Sequence, residues 1–249
     1  DPSFLISFSI MDNQEIIIRV ANSGDANYSE TITREMEESA KARGTGIAKR
    51  SPEYVANKMN EGKAVIALLK DGTWVGFCYI ETWDHGEFVA NSGLIIHPEH
   101  RKSGLARNIK KRAFELSRKK YPNAKIIGLT TSLAVMKINS DLGYIPVPFS
   151  ELPKTDEFWK GCSSCVNYDI LNRTGRTNCL CTSMKFDPVE VKKNVENGKK
   201  PPVWDFIKES KLYEKWMTVK QRILLNREEQ KKKVGSLAKE QKETQLMES

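Results

Sequence analysis

The sequence predicts an α/β (α+β) domain that carries a cysteine-rich extension and a C-terminal helix. Three observations predict it. Strand and helix patterns follow one another as β, α, α, β, β, β, α, β, α, β across residues 15–149. An apolar strand at Phe88–His97 runs through Pro98 into a short basic turn, Arg101-Lys102-Ser103-Gly104-Leu105-Ala106, and from there into a long helical pattern. Four cysteines then fall close together, before a polar linker and a final amphipathic stretch.

Each element has a local reason. Glu15–Ala21 is a strand, and Ser23 or Asp25 caps the helix that follows it to about Arg43. Residues 43–50 form a basic loop broken by Gly44 and Gly46. Ser51-Pro52 restarts a helix to Gly62, with Ser as N-cap and Pro at the first position. Ala64–Lys70 and Thr73–Glu81 are apolar runs joined by Asp71-Gly72, a hairpin signal. The helix from Gly104 to Lys120 places Leu105, Ile109, Ala113 and Leu116 on one face. Lys125–Thr130 reads as a buried strand, Ser132–Leu142 as a short helix, and Tyr144–Pro148 as the last strand.

Composition narrows the function classes. No apolar run approaches the ~20 residues that span a bilayer, so no membrane partner is expected and the protein is read as cytoplasmic. The net charge is +8, but residues 189–249 carry 15 Lys+Arg against 10 Asp+Glu, which leaves the body only mildly basic. No basic groove interleaved with aromatics is visible in that body, so nucleic acid is not expected as a partner. Residues 1–10 precede Met11 without a basic leader. Residues 1–13 are therefore read as a non-native remnant and lead, with a first β-strand as the alternative.

The turn at residues 101–106 is an anion site by construction of its parts. The first N–H groups of a helix have no partner within it, and the macrodipole adds roughly half a positive charge there. Gly104 and Ala106 are small enough to let a phosphate approach the backbone. The dinucleotide and triphosphate-loop glycine patterns are both absent. What stands here, R-x-x-G-x-A after a strand, resembles the acyl-CoA motif [QR]-x-x-G-x-[GA] of the GNAT superfamily of N-acetyltransferases. Ser132-x-x-Val135-x-x-Ile138-Asn139-Ser140-Asp141-Leu142-Gly143-Tyr144 resembles that superfamily's second signature, N-x-x-A-x-x-L-Y-E-K-x-G-F.

The resemblance implies a mixed central sheet flanked by helices, with acetyl-CoA as acyl donor between two splayed strands. It would place the pantetheine arm along Leu94, Ile95, Ile96 and His97, and the pyrophosphate on Arg101, Lys102, Ser103, Gly104, Leu105 and Ala106. A backbone N–H near Leu94 or Ile95 would hold the oxyanion. Two departures stand out. The strand positions that often carry the base are Ala90 and Ser92, and the signature Tyr is replaced by Asn139. A CoA thiolate leaves readily without an acid. The missing base suggests a water relay through Asn91 or Ser92 to Glu81 or Glu87, with solvated strand-end charges as the alternative. Glu81, Ser92 and Asn139 are therefore the candidate catalytic positions.

The loop before the second helix lines the acceptor side in this superfamily. Arg43, Lys49 and Arg50 cluster there, with Tyr79 on the facing strand, and guanidinium forks suit carboxylates. That favours a small acidic amino acid, with a solvent-facing basic loop as the alternative. Residues 40–50, 76–83 and 128–139 further resemble a bacterial GNAT group assigned to N-acetylglutamate synthesis in arginine biosynthesis. The resemblance implies transfer of an acetyl or succinyl group to glutamate. A protein or peptide N-acetyltransferase and a non-catalytic CoA-binding module are the competing readings.

Cys162-x2-Cys165-x13-Cys179-x-Cys181 is the second unusual feature, while Cys78 lies alone in a strand. In a cytosolic chain paired cysteines more often hold metal than disulfides, and four thiolates suit a tetrahedral structural zinc. Reduced unliganded thiols and redox-active pairs are the alternatives. The same segment is also read as a cover for the acceptor pocket, through Trp159, Tyr168 and Arg173 or Arg176. The domain reading is thus lead 1–13, acyltransferase domain 14–150, cysteine-rich segment 151–188, linker 189–202, and C-terminal amphipathic helix with polar tail 203–249. Leu212, Trp216, Val219 and Ile223 form the stripe of that helix, a candidate homodimer contact.

Overall fold

The computed structural model describes residues 7–11, 14–43, 49–198 and 218–219. Strand β1 (Ser7–Met11) pairs antiparallel with β2 (Gln14–Val20), Ser7 opposite Ile18 and Met11 opposite Gln14. Residues 7–11 thus form the first β-strand expected as the alternative, and extend the sheet by one strand.

A 3-10 turn (Ser23–Tyr28) leads into helix α1 (Ser29–Arg43). The 3-10 turn is capped by Asn22, where Ser23 or Asp25 was expected to cap the helix. The Asn22 side chain accepts from Gly24 N at 2.8 Å, and Asp25 returns the bond by accepting from Asn22 N at 2.9 Å. Asp25 was misread because its carboxylate serves two partners: it also takes both guanidinium nitrogens of Arg19 at 2.7 Å. Helix α2 (Pro52–Asn60) starts as expected, with Ser51 Oγ accepting from Tyr54 N.

Strands β3 (Ala64–Leu69), β4 (Trp74–Trp83) and β5 (Phe88–Ile96) form the antiparallel centre. Asp71-Gly72 makes the turn between the first two, Gly72 at φ 87° and Asp71 accepting from Thr73 N. Helix α3 (Leu105–Lys120) returns across one face, and β6 (Lys125–Thr130) then pairs parallel with β5. Leu105, Ile109, Ala113 and Leu116 pack as predicted, against Val65, Val75, Ile80 and Val89. On the other face α1 and α2 bury Ile32, Met36, Val55 and Met59 against Ile66, Trp74, Phe77 and Tyr79.

Helix α4 (Leu133–Asp141) follows, capped by Ser132, and then β7, which is only Ile145–Pro146. Helices α5 (Asp156–Lys160) and α6 (Tyr168–Arg173) lead to β8 (Thr182–Phe186) and α7 (Pro188–Glu196). The sheet order is β1-β2-β3-β4-β5-β6-β8-β7. Strand β8 thus lies between β6 and β7, so the cysteine-rich stretch connects two strands of the sheet and is not an extension beyond it. A third core, with Phe88, Phe149, Phe158, Trp159 and Leu171, forms beneath that connection.

Contacts divide the chain into residues 1–203 and 204–249. Of the second unit only residues 218–219 are described, and both are helical. The stripe proposed for residues 203–249 otherwise lies outside the described residues, as does the loop at 44–48. Among the described residues no helix is long and apolar enough to cross a membrane.

Candidate active site

Strands β5 and β6 pair through three positions, Phe88 with Lys125, Val89 with Ile126 and Ala90 with Ile127. Both strands continue beyond that point, β5 to Ile96 and β6 to Thr130, so a split opens between them. Peptide groups alternate in direction along a strand. Glu87 O accepts from Lys125 N, so Asn91 also presents its carbonyl toward β6. At Gly93, with φ 63°, the register of β5 against β4 shifts and the alternation changes phase. His97 N then donates to Val75 O on β4, which leaves the peptide groups of Leu94 and Ile96 facing the split. Of the positions expected to contact the donor, Ile95 and His97 are therefore turned to β4.

Gly93 is needed there. A Cβ on it would lie 2.4 Å from Tyr79 Cε1 and 2.9 Å from Met36 Cε, and its φ disfavours side chains.

The turn after β5 has the geometry expected of an anion site in part. Gly104 takes φ 89° as the N-cap of α3, with no side-chain cap, and Lys102 also has a positive φ of 65°. Ser103 Oγ donates to His100 O at 2.7 Å and accepts from Leu105 N at 3.4 Å. Arg101 departs from the expectation of a phosphate contact. Its Nε donates to Ile96 O at 3.1 Å, and its Nη2 reaches Glu35 Oε1 and Ser39 Oγ, both at 2.7 Å. It ties the turn to α1.

On the face that carries Tyr79, four side chains converge. Lys58 Nζ lies 2.8 Å from Glu81 Oε1, with side chains only 12% and 17% exposed. Glu81 Oε2 is buried and carries no hydrogen bond among the described residues. Burial pushes the Glu81 carboxyl up to about 7, opposed by the Thr82 N–H and by Arg50. Burial likewise holds the Lys58 ammonium below its ordinary range. Arg50 Nε donates to Tyr79 Oη at 2.9 Å. The Arg50 and Lys58 cations sit 5.1 and 5.0 Å from the centre of the Tyr54 ring.

The remaining candidates separate. Ser92 is paired with Tyr79 in register, beside the site. Asn91 cannot relay a proton to Glu81, because its side chain points to α3, where Nδ2 donates to Ser117 Oγ at 2.7 Å and Oδ1 accepts from Tyr144 Oη at 3.2 Å. Glu87 is a strand-end charge on Lys125. Asn139 is 1% exposed and packs against Met184, with Gly128 leaving it room. Lys49 is exposed and pairs with Glu37, away from the cluster. The side chain of Arg43 lies outside the described residues. Lys58 and Tyr54 were missed by sequence reasoning, although their i, i+4 spacing on α2 places them on one face next to Arg50.

The cysteine-rich connection reaches the site, by residues other than those expected. Glu157 of α5 raises the Glu81 carboxyl electrostatically, and a Cβ on Gly161 would lie 4.0 Å from Arg50 Nη2. Trp159 is core, stacked on Phe149, Tyr168 is exposed, and Arg176 pairs with Asp156. The expected zinc site is corrected. Among the described residues no group of three or more His, Cys, Asp or Glu side chains is arranged to hold a metal ion. None of Cys162, Cys165, Cys179 and Cys181 is joined in a disulfide. Burial and neighbouring thiols push Cys162 up to about 11, and a hydrogen bond with Cys179 followed by burial raises Cys181. Cys162, Cys179 and Cys181 pack on the third apolar core.

Residues 33–137 match the model of the acetyltransferase (GNAT) family. That span runs from α1 to α4 and includes the strand split, the bulge and the turn. Over that span the sequence is similar to the family, and the sheet-bearing body has the GNAT fold. N-acetylglutamate synthase from Neisseria gonorrhoeae, complexed with coenzyme A and N-acetyl-glutamate, is similar in fold at a TM-score of 0.50 and 19% identity, over 69% of this chain. This chain covers only 35% of that enzyme's length. The GNAT domain of S. lividans PAT is similar at a TM-score of 0.51 and 11% identity, over 75% of this chain and 99% of that one. No curated protein matches.

Proposed function

We propose that this protein transfers an acyl group from acetyl-CoA, or succinyl-CoA, to the amino group of a small acidic amino acid, with glutamate the foremost candidate. The observation that carries the proposal is the half-buried Glu81 on β4, held between Lys58 and Arg50 and directly opposite Ala90 on β5. A carboxyl titrating near 7 takes a proton from an ammonium or attacking amine at neutral pH. Arg50 and Lys58, braced on Tyr54 and Tyr79, supply two cations for acceptor carboxylates. Carboxylate binding loosens Lys58 from Glu81 and leaves Glu81 free to act as base.

In the reaction the amine nitrogen attacks the thioester carbon, Glu81 takes the amine proton, and the C–S bond breaks to release the CoA thiolate. The Leu94 N–H, which faces the split, is the donor for the oxyanion. The αL turn at Gly104 and the open end of α3 receive the pyrophosphate. The Neisseria enzyme of the same fold carries coenzyme A with N-acetyl-glutamate, and a similar pair of ligands is proposed here, which would place the protein in arginine biosynthesis in the cytoplasm.

The test is thiol release from acetyl-CoA and succinyl-CoA with each of the twenty amino acids. Turnover confined to glutamate or aspartate supports the reading. Turnover only with cationic or peptide acceptors, or none alongside tight acetyl-CoA binding, overturns it.

A further inference from the structure

The buried cation of α3 has no part in the chemistry above, yet it sits where the two central strands part. Lys110 is 2% exposed, and among the described residues no carboxylate pairs with it. Its Nζ donates to Asn91 O at 3.0 Å and lies 5.9 Å from the centre of the Tyr144 ring. A lone buried ammonium is costly to hold, and burial keeps this one below its ordinary range.

Its acceptor is the informative part. The parallel ladder of β5 with β6 stops at Ala90 and Ile127. Asn91 O faces β6, as Glu87 O does, and the next rung would be its bond to the N–H of Leu129. That N–H faces β5, because β6 alternates: Lys125 N already donates to Glu87 O. Lys110 occupies the acceptor that this rung requires. The Asn91 side chain is fixed as well, by Ser117 and Tyr144, so the peptide cannot turn away. Further along, Arg101 Nε occupies Ile96 O in the same manner. Two cationic side chains thus take the carbonyls on either side of Leu94, whose peptide group lies between them.

We infer that Lys110 is a positioning residue that ends the β5–β6 ladder by replacing Leu129 N–H as the donor to Asn91 O, and so holds open the split that receives the acyl donor. The use of the split rests on the proposed function; the ladder itself does not. Lys110 shares a face of α3 with Ala106, Ala113 and Ser117, small neighbours that leave space for a long side chain between them.

The test is amide hydrogen exchange at Leu129 together with acetyl-CoA affinity, in the wild type, Lys110→Met and Lys110→Gln. In the unliganded wild type the Leu129 amide is expected to exchange faster than that of Ile127, which is in the ladder. In Lys110→Met the ladder gains a rung: Leu129 exchange slows by about tenfold and acetyl-CoA binds about tenfold more weakly. Lys110→Gln keeps an N–H donor and is expected to stay nearer the wild type in both. A protected Leu129 amide in the wild type overturns the inference without any variant, which keeps it testable if Lys110→Met does not fold. Unchanged exchange and affinity in a folded Lys110→Met also overturn it, as does Lys110→Gln behaving like Met. If the exchange results hold while the wild type binds no acyl-CoA, the proposed function fails and the ladder inference stands.

Discussion

Lys58 Nζ and Glu81 Oε1 are 2.8 Å apart, bridging α2 to β4. Neither partner is in its ordinary state, since burial pushes both toward neutrality. A substrate carboxylate that competes for Lys58 would part the pair.

The first consequence is a pH profile. If Glu81 is the base, kcat/KM rises with pH and levels off above about 7. Glu81→Gln is expected to lower kcat by about 10²–10⁴ while acetyl-CoA affinity is unchanged. The stability sign is the reverse of the activity sign. A carboxyl raised from 4.5 to about 7 binds more proton folded than unfolded between those values, so wild-type stability falls as pH rises through that window. Denaturation of Glu81→Gln should lack this fall. A profile that is flat near 7 with full activity in Glu81→Gln would exclude the role.

Lys58→Met separates the cation from the base. Removing the nearby positive charge favours the protonated carboxyl, so the midpoint of the activity rise is expected to move up by about one pH unit. The acceptor KM rises as well if Lys58 also holds a carboxylate. Lys58→Arg should return the midpoint toward the wild-type value. An unmoved midpoint in Lys58→Met would separate Glu81 from Lys58 functionally.

How much of this was legible in the sequence follows from where each contact originates. Ser51-Pro52, Asp71-Gly72 and the Gly104 turn are local chemistry: a cap, a tight turn and an αL residue act within a few positions, and the structure has all three. Glu81 and Arg50 were singled out through their place in a resemblance, and in the structure both lie beside Lys58 and Tyr79. Strand β8 was not legible, because Thr182–Phe186 is short and its place between β6 and β7 is decided by pairing with residues far away in the chain. Asp25 was misassigned because one carboxylate serves both a cap and Arg19. Lys110 reads as an ordinary helix lysine until the strand split above it is known. The cysteine spacing suggested metal, but spacing alone does not determine where the thiols point.

Arg50→Ala should raise the KM for an acidic acceptor by about 10–100-fold, the worth of one hydrogen bond to a charged group, with little change in acetyl-CoA affinity. Arg50→Lys keeps the charge but loses the fork and the bond to Tyr79 Oη, so it should recover only part of the loss. Steady-state kinetics with the acceptor varied checks both. Equal KM values for Arg50→Ala and the wild type would move the carboxylate site elsewhere.

Asp25 links β2 to the turn before α1. Its burial raises the carboxyl, but the Arg19 bond and the Asn22 N–H outweigh that and hold it below its ordinary 3.8. A depressed carboxyl stabilises the fold above its unfolded pKa and loses that contribution as pH falls through the folded value. Asp25→Asn is therefore expected to cost about 1.5–3 kcal/mol at neutral pH. The gap to the wild type should narrow as the solution is acidified below 3.8. Chemical denaturation at neutral and acid pH measures both, and a constant gap would mean that the charge is not what matters.

Gly93→Ala tests the bulge that turns Leu94 toward the split. The added methyl meets the Tyr79 ring at 2.4 and 2.8 Å, on a residue already at φ 63°. Backbone strain of this kind costs on the order of 1–3 kcal/mol, and the ring must move as well. Tyr79 is braced by Arg50, so its displacement reaches the proposed acceptor site, while any change in the bulge redirects the Leu94 N–H. The variant is expected to lose stability and to lose kcat by more than it loses acetyl-CoA affinity, because an oxyanion donor acts on the transition state. Denaturation, isothermal titration with acetyl-CoA and initial rates distinguish these effects. A variant that is merely less stable, with wild-type kcat below its melting temperature, would show that the bulge shapes the strand without serving the reaction.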